Sequence, residues 1–196
     1  KFPSELSYFL GLTILALGVV FMEKSDFGVS MIVAPAYLLF RWLNPHWSFF
    51  TFGMAEYCLQ GTILTLMAIV LRRFSLSWLF SFVTALIYGF ILDTLLALFS
   101  FLPTEYLWQQ GLYYVIGSLI GPLGVALMFH TYIPAEVYEL FVKTVALETK
   151  GNIGKVKTIY DLCSCTIAIV MSFLIFGLWK FEGVKWGTLL CATFNG

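Results

Sequence analysis

Carboxylates set within apolar sequence are the residues of this chain best suited to chemistry, because an ionised group in hydrocarbon is costly and marks a functional position by default. Asp93 shares a helical stripe with Ser81, Ala85 and Gly89, a face of small residues suited to close helix contact or to a cavity. Glu56 and Gln60 stand four residues apart and project from one helix face together with Gly53, Tyr57 and Gly61. Asp93, Glu56 and Gln60 are therefore candidates for binding a solute or carrying a coupling proton, with Tyr57 and Tyr88 as aromatic walls. Lys157 and Asp161 have the spacing of a structural ion pair on one helix. Asp26-Phe27-Gly28-Val29-Ser30 breaks an apolar pattern, and around Asp26, Gly28 and Ser30 backbone N–H groups at a helix start would suit an anionic group. The same residues also suit a plain helix cap followed by a turn.

Other chemistries find little support. His46 and His130 are isolated and have no partners at metal-ligand spacing, so no metal is expected. The four cysteines lie in apolar stretches, and Cys163-Ser164-Cys165 has neither redox nor zinc spacing. No glycine-rich phosphate loop or credible serine nucleophile is present, which points away from an enzyme and from a cofactor. Eleven basic against eleven acidic residues give no basic surface, so nucleic acid is not an expected partner.

The elements that must position these groups follow from composition. Hydrophobic residues make up 60% of the 196 positions and charged ones 11%, outside the range of a soluble domain. The apolar residues fall in runs of about 20, the length needed to cross a bilayer. The runs predict an all-α, polytopic membrane domain of about six transmembrane helices: Leu6 to Met22, Phe52 to Leu71, Leu76 to Phe101, Leu107 to Phe129, Val156 to Leu178, and a last one from Val184. Met31 to Leu43 is too short to span and is expected to be re-entrant or interfacial, bent at Pro35. Pro134 to Lys150 is more polar but keeps an apolar face, as a surface helix would. The final 13 residues would rise only about 20 Å as a helix, so the sixth span is expected to continue beyond Gly196.

An internal repeat organises these runs. Leu17-Gly18-Val19-x-x-Met22 recurs as Leu123-Gly124-Val125-x-x-Met128, and Phe52-Gly53 corresponds to Ile153-Gly154. Residues 6–101 and 107–196 thus form two three-helix repeats, each with a broken amphipathic segment. Three spans is an odd number, so the second repeat must be inverted relative to the first. With the N-terminus inside, seven basic residues fall on the cytoplasmic side and four on the other, which orients both ends of the chain inward. The motif Asp26-Phe27-Gly28-Val29-Ser30, with Gly154-Lys155-Val156-Lys157 opening the fifth span, resembles the bacterial membrane proteins typified by YczE, YyaS and YitT. That resemblance implies a bacterial inner-membrane protein and carries no activity with it.

Inverted repeats are the architecture of many secondary transporters, so transport of a small solute through rocking of the two halves about a midplane site is the expected function. The alternatives are a substrate-binding subunit of a larger uptake complex and a non-transporting assembly protein. The bilayer is the expected partner, alongside an unidentified solute and, compatibly with this pattern, further copies of the chain.

Overall fold

All regular structure among the described residues is helical, as a backbone that must satisfy its own hydrogen bonds in hydrocarbon requires. The computed structural model describes residues 4–129, 131, 133–134, 136–178, 181–188 and 190. Its elements are α1 (Ser4–Ser25), α2 (Ala34–Leu43), α3 (Phe52–Leu71), α4 (Leu76–Leu98), α5 (Leu107–Phe129), α6 (Val137–Glu148) and α7 (Ile153–Phe176). Five of these, α1, α3, α4, α5 and α7, are long and apolar enough to cross a membrane. Of the sixth predicted span only the start, through Thr188 and Leu190, is among the described residues.

Local chemistry sets the boundaries. Thr51 caps α3 by accepting the Met54 N–H at 3.2 Å, and Asn152 caps α7 by accepting the Gly154 N–H at 2.8 Å. Pro35 does not bend α2; it sits in its first turn, where a missing N–H leaves nothing unsatisfied. Pro122 lies inside α5, which continues as one helix through Gly121-Pro122-Leu123-Gly124.

Large apolar side chains cover the outside, among them Leu66, Ile69 and Val70 of α3, Phe90 of α4, Leu119 of α5 and Leu174 of α7. Such a surface is stable only against lipid or another apolar partner. The chain is an integral membrane protein by this measure.

At the centre α1 and α5 cross in close, antiparallel contact. A Cβ on Gly18 would lie 2.8 Å from the Gly121 Cα, and one on Gly124 would lie 2.5 Å from the Leu15 N. Close backbone approach of this kind is what small residues give to membrane helices. The contacts are reciprocal: Gly11 faces Gly124 and Met128, while Gly117 faces Gly18 and Met22. Around this crossing α2 packs on α3 and α7, and α6 packs on α7 and α3. The α6 segment keeps one surface side, with Lys143, Leu147 and Glu148 exposed, as an amphipathic helix does. Its start is buried beside α3 and α4, and Val137 is fully buried with Leu64, Met67 and Trp78.

Candidate functional site

The α6 helix begins at Glu136, whose backbone is in the cap position but whose side chain makes no cap hydrogen bond. Its carboxylate instead turns toward α3, where Gln60 Nε2 donates to Glu136 Oε2 at 3.3 Å and to Glu56 Oε2 at 3.4 Å. Gln60 Oε1 accepts the Val137 N–H at 3.2 Å, replacing the missing cap for the first turn of α6. Tyr138 donates its hydroxyl to Glu56 Oε2 at 2.7 Å. A second tie comes from α4, where Thr84 donates to the Pro134 carbonyl at 2.9 Å and receives the Tyr8 hydroxyl from α1 at 2.9 Å. Four helices thus converge on one buried polar cluster.

The cluster is incompletely satisfied. Glu56 is fully buried and Glu136 is 3% exposed, yet Oε1 of each has no hydrogen-bond partner among the described residues. Unpaired buried oxygens cost about 1–3 kcal/mol each, and more when charged, so each is a place for a proton, a water, an ion or a ligand. Burial raises the Glu136 carboxyl well above the ordinary carboxylate range, and the nearby charges of Glu139 and Glu56 add to the rise while Gln60 opposes it. Burial likewise raises Glu139.

Glu136, Tyr138 and Glu139 form the polar end of a cavity of about 370 Å3. Its long wall is the α1–α5 crossing, through Gly18, Val19, Gly117 and Gly121, and its far side is Ser30 to Val33 at the start of α2. Tyr88 of α4 and Lys157 and Asp161 of α7 complete it. The starts of both short helices therefore meet one cavity. Glu139 Oε2 and Asp161 Oδ1 there are also without hydrogen-bond partners among the described residues. The fifth and ninth residues of α3 are Glu56 and Gln60, and those of α7 are Lys157 and Asp161. Corresponding positions of the two helices thus face the same region of the fold.

The residues singled out from sequence divide among three places. Glu56, Gln60, Tyr88, Ser30, Lys157 and Asp161 gather at the cavity or the cluster beside it. Lys157 and Asp161 share the cavity, and no ion pair joins them among those of the described residues. Asp93 lies elsewhere: its Oδ1 accepts the Gly53 N–H at 2.8 Å and so serves the start of α3 from the neighbouring α4. Tyr57 packs on Gly89 and donates to the Leu86 carbonyl at 3.0 Å, away from the cavity.

Asp26 and Gly28 lie in a separate interlock with the chain near the last helix. Val29 N–H donates to the Gly183 carbonyl at 3.1 Å, Gly187 N–H to the Phe27 carbonyl at 2.9 Å, and Thr188 to the Val29 carbonyl at 2.8 Å. Lys185 pairs with Asp26 at 2.7 Å. Gly28 has φ +101° and a Cβ there would strike Thr188, so the position requires glycine.

Sequence reasoning missed Glu136, Tyr138, Glu139, Thr84 and Tyr8. A usable signal was present at Glu136: an acid following Ile133-Pro134 in the break after the apolar run of α5.

No curated protein and no solved structure matches the chain. A family model matches residues 3–196, and on that near-complete match the protein belongs to the family of unknown function DUF6198.

Proposed function

We propose that this chain is a permease for a small solute, with two inverted repeats that rock about the α1–α5 crossing and expose the central cavity to either side in turn. One observation carries the reading: a cavity of about 370 Å3 lies against that crossing and is lined by the starts of both short helices and by ionisable groups of α6 and α7. The repeat is supported by the reciprocal glycine contacts of two antiparallel helices. It is also supported by paired threonines, since Thr84 holds the Pro134 carbonyl of the second half and Thr188 holds the Val29 carbonyl of the first. A bacterial inner membrane and inward-facing termini are part of the proposal. They rest on the basic-residue bias and on the resemblance to the YczE, YyaS and YitT group.

The test needs no knowledge of the solute. Single cysteines introduced as Ser118→Cys and Ala126→Cys, in a background with the native cysteines replaced by alanine, are labelled with a membrane-impermeant maleimide in right-side-out and in inverted vesicles. Alternating access predicts that one lining position reacts from both sides. Labelling from one side only, under every condition, would favour a capture subunit or an assembly protein instead.

A further inference from the structure

The polar end of the cavity has a definite charge. It presents three carboxylates, Glu136, Glu139 and Asp161, and one ammonium, Lys157. Each carboxylate has one oxygen without a hydrogen-bond partner among the described residues, and Glu136 is only 3% exposed. With all three ionised the end carries two net negative charges, and with Glu136 protonated it carries one. Buried charge of that kind requires compensation by a proton, an ion or a ligand.

The rest of the cavity is apolar and soft, with Val19, Met22, Met31 and Val125 on its walls and the rings of Tyr88 and Tyr138 near the acid end. Aromatic faces and thioethers accept a diffuse cation over an apolar body. A volume of about 370 Å3 lies at the small end of ligand sites and is too small for a two-chain lipid.

We propose that the solute is a small organic monocation with an apolar body, held by Glu139 and Asp161, and that its entry displaces the proton that Glu136 carries in the empty cavity. This deepens the permease reading and rests on the same site. The groups facing Glu136 are Tyr8 of α1, Glu56 of α3, Tyr88 of α4, Tyr138 and Glu139 of α6, and Lys157 and Asp161 at the same cavity. Among these described groups Lys157 is the only cation, Lys143 of α6 acts on Glu139, and Gln60 rather than a cation bridges Glu136 to Glu56. A second positive charge entering the cavity favours the ionised form of Glu136, and the released proton passes to solvent. Binding and deprotonation are thereby linked.

The experiment uses the full chain in detergent and two probes of similar size, benzyltrimethylammonium and phenylacetate, measured by titration calorimetry in buffers of different ionisation enthalpy. Benzyltrimethylammonium has a permanent charge, so any pH dependence comes from the protein. The expected result is binding of the cation at least about tenfold tighter than of the anion, with affinity that rises with pH and with net proton release. Glu136→Gln should remove the proton release, and Asp161→Asn should weaken cation binding by at least about tenfold. Preference for phenylacetate, no cation binding up to about 10 mM, or cation binding without proton release at any pH overturns the proposal. The wild-type comparison of the two probes stands even if a variant fails to fold. Binding in detergent does not depend on transport: cation binding with one-sided cysteine labelling would defeat the permease reading alone, and two-sided labelling without cation binding would defeat this proposal alone.

Discussion

After α1 the chain turns through Phe27 to Ser30 against residues 183–188, and after α5 it turns through Ile133, Pro134 and Glu136 against α3 and α4. In both turns a threonine of a distant segment holds a backbone carbonyl, Thr188 in the first and Thr84 in the second. The remaining partners differ. The first turn is closed mainly by backbone hydrogen bonds, with the Lys185–Asp26 pair at a partly exposed edge. The second is closed by side chains, and two carboxylates there have oxygens unpaired among the described residues, beside a cavity. Backbone pairing makes a rigid joint, whereas a buried acid cluster with spare acceptors leaves capacity for a proton or a ligand. The turn after α1 therefore serves as a structural joint and the turn after α5 as a candidate binding site.

The largest effect expected from breaking this contrast is at Gln60. Gln60→Leu leaves the Val137 N–H, Glu56 and Glu136 without their shared partner, and should destabilise the protein by about 3 kcal/mol or more, read as a fall in melting temperature. A near-unchanged melting temperature would mean that the cluster does not hold α6 in place.

The pH dependence of stability sharpens the comparison next. Glu136 and Glu139 both have raised carboxyl pKa values in the fold, burial being the first cause, so the folded state keeps protons that the unfolded chain releases above about pH 4.5. Their contribution is full below that pH and is lost as pH rises through the folded-state values, with a slope of up to about 1.4 kcal/mol per pH unit for each proton. Melting temperature measured from about pH 5 to about pH 9 should fall, and should fall less in Glu136→Gln. Equal pH profiles for the two proteins would remove Glu136 as the buried proton carrier.

The smallest of the three effects is at the first turn. Gly28→Ala forces an L side chain into φ +101° and against Thr188, which should cost about 1–3 kcal/mol. Binding of benzyltrimethylammonium per folded molecule should stay unchanged, because Gly28 belongs to the interlock and not to the main cavity. Loss of binding in the folded variant would show that the two turns are coupled rather than divided in role.

Much of the architecture was legible in the linear sequence because hydrocarbon imposes it: a spanning helix needs about 20 apolar residues, and polar breaks mark where it ends. The five described spans, the broken segments and the shared face of Glu56 and Gln60 all follow from local pattern. Pattern found the amphipathic α6 but not that the polar groups at its start, Glu136 and Tyr138, are buried against α3, because periodicity does not show which polar groups find partners.

What the sequence by itself determined is which residues are out of place in a membrane and which face of a helix each occupies. It did not determine their partners, since those lie 40 residues away for Asp93 and Gly53, 76 for Gln60 and Glu136, and 82 for Tyr138 and Glu56. Only the packing of helices decided that the Asp93 carboxylate is taken up by a backbone N–H while Glu136 keeps an unpaired oxygen at the edge of a cavity. The physical reason is that a side chain's chemistry in low dielectric is set by the few groups it touches, and those contacts are chosen by tertiary structure.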